Sequence, residues 1–424
     1  MAGRRSNAYA QLLQLGLTAL TWVDRWFGAL VVDEAGRYSH ETLAGLRARG
    51  SILRSYMISG WIVLGHDDVR TLLKDRRLSS EVFRSALIQR VFRAAADGGP
   101  LPLLDHPNLV NLDPPDHTRL RRLSARSFTN RYVQSMQPDI ERIVDELLDP
   151  VANEARFDLM TVLARPLPAI VIAEMLGVPV EERHLFETWS AELVGYTELL
   201  DPEALAGAVR GDHAMRAYLA ALVERKRAAP ADDLVSRLIA AEADDDALTA
   251  DELLSLCTLL LVAGHETTTR LIGSCVHLLL EHPEQLAAVR ADRSLVPAAL
   301  EEALRLEPPV MALSRIVAEP FDYGGVRFRA GQIVLLSIAA ANRDPAVHED
   351  AERFDVGRRR GDHVSFGHGL HLCLGMPLAR LEAAVALNAL LDRYPTLQAA
   401  AAPRDWGTSA FFRGPSTLEL SVTS

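Results

Sequence analysis

Phe366-Gly367-His368-Gly369-Leu370-His371-Leu372-Cys373-Leu374-Gly375, followed by the helical run Met376 to Tyr394, is the stretch on which the reading of this chain turns. A cysteine by itself is commonly an inert small hydrophobe. Here Gly367, Gly369 and Gly375 allow tight turns and close backbone approach to a flat ligand. Gly375 also stands at a helix start, where free N–H groups and the positive dipole end favour a thiolate over a thiol. Cys373 is therefore a candidate thiolate ligand.

At 424 residues, 49% hydrophobic and 24% charged, the chain can bury a large core around a bulky prosthetic group. No Gly/Ser-rich linker, low-complexity tract or repeat divides it, so one large domain over residues 35–424 is expected, preceded by an extension at 1–34. In that extension the apolar run Leu12 to Val23 is interrupted by Gln14, Thr18 and Thr21 and followed by Asp24 and Arg25. It falls short of the roughly 20 apolar residues of a spanning helix. An amphipathic helix packed on the body is expected there, not a secretory signal or transmembrane anchor. The balance of 45 basic against 56 acidic residues, net −11, argues against nonspecific binding to nucleic acid or an anionic membrane. Cys257, Cys275 and Cys373 are too scattered for a disulfide framework or a zinc-thiolate site, and point to a reducing cytoplasm.

Three- and four-residue apolar spacing predicts long helices over Tyr132 to Val151, Ala204 to Arg227 and Thr249 to Glu281. Strands cluster in two places: a hairpin in Ser51 to Leu64, turning at Ser59-Gly60, and Phe321 to Ser337, with turns at Tyr323-Gly324-Gly325 and Ala330-Gly331. A mainly α body with a small β lobe follows. Residues 82–112 form a poorly patterned loop of the kind that binds ligands, and Glu181 to Asp212 is a second candidate mobile region.

Inside the predicted helix Leu253 to Leu280 lies Ala263-Gly264-His265-Glu266-Thr267-Thr268. A mid-helix glycine costs about 1 kcal/mol relative to alanine, and a buried glutamate costs more unless hydrated or paired. Such local violations mark function, or else Thr267 bonds back to a carbonyl four residues earlier and bends the helix. Glu301-Glu302-Ala303-Leu304-Arg305 carries a Glu/Arg pair three apart, which alone is an ordinary helical ion pair. After Asp113-Pro114-Pro115-Asp116, a strong helix start, the spacing of His117 and Arg121 puts both on one face.

These segments together resemble the cytochrome P450 family, whose signature of Phe, Gly, a haem-ligating Cys and a further Gly matches at Phe366, Gly369, Cys373 and Gly375. Ordered motifs extend the resemblance over about residues 35 to 420. It implies the cytochrome P450 fold for 35–424, mainly α with a small β lobe, a triangular prism-like helical body enclosing haem b. Cys373 would be the axial iron ligand, its electron donation favouring O–O cleavage. Phe366 and Gly367 would lie on the sulfur side. Ala263 and Gly264 would leave room for O2 and substrate, Thr267 would hydrogen-bond oxygen and Glu266 would relay protons. Thr268 and Thr269 would be structural, and His265 would point away from the haem. His117, Arg121, Arg315 and His371 match the family's propionate-binding positions. Glu302 and Arg305 would lock to Arg353 of Ala351-Glu352-Arg353-Phe354, with Arg358 another possible partner; alanine replaces the family's common proline at 351.

The implied activity is a monooxygenase that hydroxylates or epoxidises an apolar small molecule with O2. Electrons would come from NAD(P)H through separate partners, a ferredoxin and its reductase. Arg119, Arg122, Arg126 and Arg358 to Arg360 form either a basic docking patch for an acidic ferredoxin or a solvated arginine-rich surface. Two rivals stand beside this reading. A peroxide-driven haem-thiolate oxidase is disfavoured by Glu266 and Thr267 together, and a non-catalytic haem sensor lacks a signalling domain. Leu260, Val310, Met311, Leu313, Phe411 and Phe412, with the 82–112 loop, are candidate substrate contacts, and each could instead be core.

Overall fold

The computed structural model describes residues 40–423 apart from 57, 86–87, 90–92, 94–104, 107, 198–201, 241–247, 359–361, 402–405 and 407–410. The expected N-terminal extension and much of the 82–112 loop lie outside the described residues.

A 32-residue helix, Ala250–Glu281, forms the axis of the body. Its start is fixed by a capping box: Thr249 Oγ1 accepts from Glu252 N at 3.2 Å and Glu252 Oε2 accepts from Thr249 N at 2.9 Å. Helices Pro166–Met175, Pro202–Ala228, Val296–Leu306 and Met376–Arg393 pack around it. Pro166–Met175 is apolar on nearly every face, which is the pattern of a helix surrounded by protein. Among the described residues no helix is long and apolar enough to cross a membrane.

The strands are β1 (Ile52–Ser55), β2 (Gly60–Val63), β3 (Leu78–Ser79), β4 (Arg156–Asp158), β5 (Ala312–Val317), β6 (Phe321–Tyr323), β7 (Val326–Phe328), β8 (Ile333–Ser337), β9 (Thr396–Ala399) and β10 (Glu419–Thr423). They make a five-stranded sheet in the order β1-β2-β8-β5-β3, a three-stranded sheet β4-β10-β9 and the pair β6-β7. The predicted hairpin is present, with Ile52 opposite Val63 and Ser59 in the left-handed region at φ 49°. Strand β5 was not expected. It pairs antiparallel with β8, Leu313 opposite Leu336, and it carries Arg315. Just before β5, Met311 takes the core alternative: it is 1% exposed and packs with Leu43, Leu46 and Ile62 in the β lobe. Its N–H donates to the Phe411 carbonyl at 2.8 Å, and Phe411 packs on the same cluster.

The Glu/Arg lock also differs from expectation. Arg305 donates to both Glu302 oxygens at 2.8 Å and to the carbonyls of Ala351 at 2.6 Å and Arg353 at 3.0 Å. The second guanidinium on Glu302 belongs to Arg358, at 3.0 Å, and not to Arg353, which is exposed and supplies only its carbonyl. Chain direction decides this, because the turn that presents the Arg353 carbonyl inward sends its side chain to solvent.

Candidate active site

The loop before the cysteine closes on itself: Cys373 N donates to Phe366 O at 2.9 Å, and Gly367 and Gly369 take φ of 72° and 77°. A side chain at Gly369 would also press within 2.9 Å of Lys74 Cγ. Of the three cysteines Cys373 alone is exposed. Burial still pushes its thiol pKa up, while backbone N–H groups of Gly375 and Met376 and the charge of Arg121 pull it down. Cys257 and Cys275, fully enclosed, are pushed up to about 12 and are inert core. A Cβ at Gly375 would meet nothing within 4 Å, so an open recess lies at the helix start, two residues from the exposed cysteine. The Arg380 guanidinium lies 4.7 Å from the Phe366 ring centre and donates to Glu301 at 2.6 and 2.7 Å. Sequence reasoning missed Arg380, since nothing in its spacing sets it apart.

Beside this loop the expected propionate residues converge. Helix Asp116–Ser127 brings His117 to 4.1 Å from the His371 ring. His117 is 2% exposed and neither ring nitrogen has a partner among the described residues. His371 shares a hydrogen bond of 2.9 Å with Ser80 Oγ, and Ser80 N donates to Asp113 at 2.9 Å. Ser80 was also missed, for it lies in the two-residue-strand region around β3, too short to show a period. Arg315 is 6% exposed and, among the described residues, donates only to the Ser314 carbonyl at 2.8 Å. Burial lowers its pKa to about 10 and lowers that of Arg121. Neither arginine has an ion-pair partner among the described residues. Among the described residues Asp113 is the one carboxylate whose charge reaches His117, Arg315 and His371, and it ion-pairs with none of them. A buried arginine, a half-buried one and an orphaned imidazole are costly unless a further anionic ligand completes them. Two propionates of haem b would do so, and the residues present fit that group.

On the central helix, Ala263 is exposed in mid-helix, and one turn later Thr267 Oγ1 donates to Ala263 O at 2.7 Å. Glu266 is ion-paired with Arg270, which also donates to Gly414 O at 3.4 Å. Gly264 does not serve the open side as expected. A Cβ there would come within 2.5 Å of Ile172 Cδ1, so this glycine admits helix Pro166–Met175 to close packing. His265 points away into the core, as do Thr268 and Thr269.

The remaining substrate candidates divide. Leu313 faces the cysteine loop, its Cδ1 3.8 Å from a Cβ built on Gly367. Leu260 is half-buried against the main core, and Val310 is bridged to Phe412. In the expected docking patch, Arg119 is paired with Glu252 and Arg358 with Glu302, while the side chain of Arg126 and residues 359–360 lie outside the described set.

The family model for cytochrome P450 matches residues 79–419. Cytochrome P450 107B1 of Saccharopolyspora erythraea is 44% identical over 368 residues, spanning 86% of this chain and 89% of its own length. Cytochrome P450 monooxygenase PikC of Streptomyces venezuelae is 41% identical over 402 residues, 93% of each. The structure of cytochrome P450 CYP109Q5 from Chondromyces apiculatus superposes with a TM-score of 0.83 at 38% identity, covering 93% of this chain and 97% of the other. A thiol at a helix start, a recess beside it and likeness along almost the whole length place the chain in the cytochrome P450 family, whose members bind haem b.

Proposed function

We propose that residues 35–424 act as one cytochrome P450 domain, a cytoplasmic monooxygenase that draws NAD(P)H electrons through a ferredoxin and its reductase and oxygenates a lipophilic small molecule. The observation that carries the site assignment is the convergence of His117, Arg121, Arg315 and His371, none with an acidic ion-pair partner among the described residues, beside the recess that holds Cys373. Haem bound there supplies the redox chemistry that splits dioxygen. His117, Arg121, Arg315 and His371 would hold its carboxylates, and the Cys373 sulfur would ligate its iron. Gly375 and Met376 N–H groups steady the charge on that sulfur.

Thr267 holds its hydroxyl on the Ala263 carbonyl and, by rotating, presents the proton to the open side. Glu266 handles protons from solvent once its carboxylate leaves Arg270. Leu260, Leu313, Val310 and Phe412 exclude water around an apolar guest.

The test is a panel of fatty acid, sterol, terpene and macrolactone added to the haem-loaded protein, followed optically for displacement of the iron-bound water. Positive compounds are then turned over under isotopically labelled dioxygen with a surrogate ferredoxin and reductase. One labelled oxygen atom in the product is expected. A spectral shift followed by product without label overturns the monooxygenase reading.

A further inference from the structure

His265 lies between Gly264 and the Glu266–Thr267 pair, yet its side chain leaves the open face altogether and is 4% exposed. Both ring nitrogens are used, and by different elements. Nε2 lies 2.9 Å from the carbonyl oxygen of Arg165, at the start of helix Pro166–Met175. Nδ1 bonds Ser190 Oγ on helix Arg183–Leu193, and that serine is 3% exposed. A carbonyl can only accept, so Nε2 carries the hydrogen. Burial keeps the ring neutral, so Nδ1 accepts from the serine hydroxyl. One tautomer therefore satisfies both bonds, and neither partner is interchangeable. At the neighbouring Gly264 a Cβ would come within 2.5 Å of Ile172 Cδ1, so helix Pro166–Met175 packs closely on this turn.

Resting on the function proposed above, we infer that His265 is a positioning residue that ties helix Arg183–Leu193 to the turn carrying Ala263, Glu266 and Thr267. Movement of that helix when a guest fills the recess is then passed through the Ser190 hydroxyl and the imidazole to the backbone whose Ala263 carbonyl holds the Thr267 proton. Ordinary packing would stabilise the core equally well with an apolar side chain. Two directional bonds to two separate helices set the register of all three elements.

Hydrogen–deuterium exchange on the haem-loaded protein, with and without 4-phenylimidazole as a probe that fills the distal side, tests the link. In the natural chain the probe is expected to slow exchange in 183–193 and in 263–268 together. Ser190→Ala should retain protection of 183–193 and lose that of 263–268 several-fold, and Ser190→Thr, which keeps the hydroxyl, should restore it. Joint protection that persists in Ser190→Ala overturns the inference, including when the variant merely melts at a lower temperature. The proposed oxygenation is judged separately by labelled-oxygen incorporation, so either idea can fail without the other.

Discussion

His117 and His371 lie ring to ring, centroids 4.1 Å apart and planes inclined by 43°, although they come from segments more than 250 positions apart. Burial first, and then the adjacent Arg121 and Arg315, disfavour a charge on either imidazole, with Asp113 opposing them only in part. With Asp113 as the one carboxylate acting on them, an anionic ligand between the groups stabilises the arrangement. Arg121→Ala combined with Arg315→Ala should therefore speed haem transfer to an apomyoglobin scavenger by tenfold or more, since each hydrogen bond to a charged group contributes about 1.5–3 kcal/mol. Transfer at the parent rate would show that the carboxylates are held elsewhere.

Cys373→Ser should remove the thiolate-type Soret band of the reduced carbon monoxide complex while leaving the fold intact, because the loop is closed by backbone bonds such as Cys373 N to Phe366 O. Circular dichroism serves as the control for folding. Persistence of the band would exclude Cys373 as the ligand.

Thr267→Ala should raise the peroxide released per NAD(P)H several-fold, with substrate affinity nearly unchanged. The hydroxyl is bonded to the Ala263 carbonyl and to no other residue's side chain among the described bonds, so its loss removes a proton donor and little packing. Unaltered coupling would leave Thr267 as a helix-bending residue only.

The cysteine loop, the central helix and its Thr249 cap, and the first hairpin were legible because each has a local signal: glycines at turns, apolar spacing, a Thr-x-x-Glu box. The long-range pairings were not. Strand β5 follows two prolines and spans six residues, and its partner β8 was the readable one. Gly264 looked like an opening on the ligand side because a sequence shows that a glycine is present and not what it faces. Arg353 and Arg358 lie five residues apart in one irregular segment, and which of them enters depends on how that segment folds back on Glu302, which no periodic pattern shows.

That lock yields a graded prediction. Arg305→Ala should destabilise by about 3–5 kcal/mol, because it leaves a carboxylate buried to 5% exposure with half its donors gone. Arg358→Ala should cost less, as Arg305 still covers Glu302, and Arg353→Ala should stay within about 0.5 kcal/mol. Urea unfolding ranks the three. A cost for Arg353→Ala equal to that of Arg358→Ala would reverse the assignment of the partner.

Glu382, on the helix that starts beside the cysteine, is 1% exposed and its Oε2 has no partner. Burial raises its pKa from 4.5 to about 8, so the folded protein keeps a proton that the unfolded chain releases. Unfolding then releases a proton between these values, and the sign is fixed: stability falls as pH rises from 4.5 toward 8, by at most about 1.4 kcal/mol per unit. Glu382→Gln keeps the shape and removes the titration. Its urea midpoint should exceed that of the natural chain at pH 8 and approach it at pH 5, the difference growing steadily between the two. Parallel pH profiles for the two proteins would mean that the carboxyl is hydrated in solution and carries no such penalty.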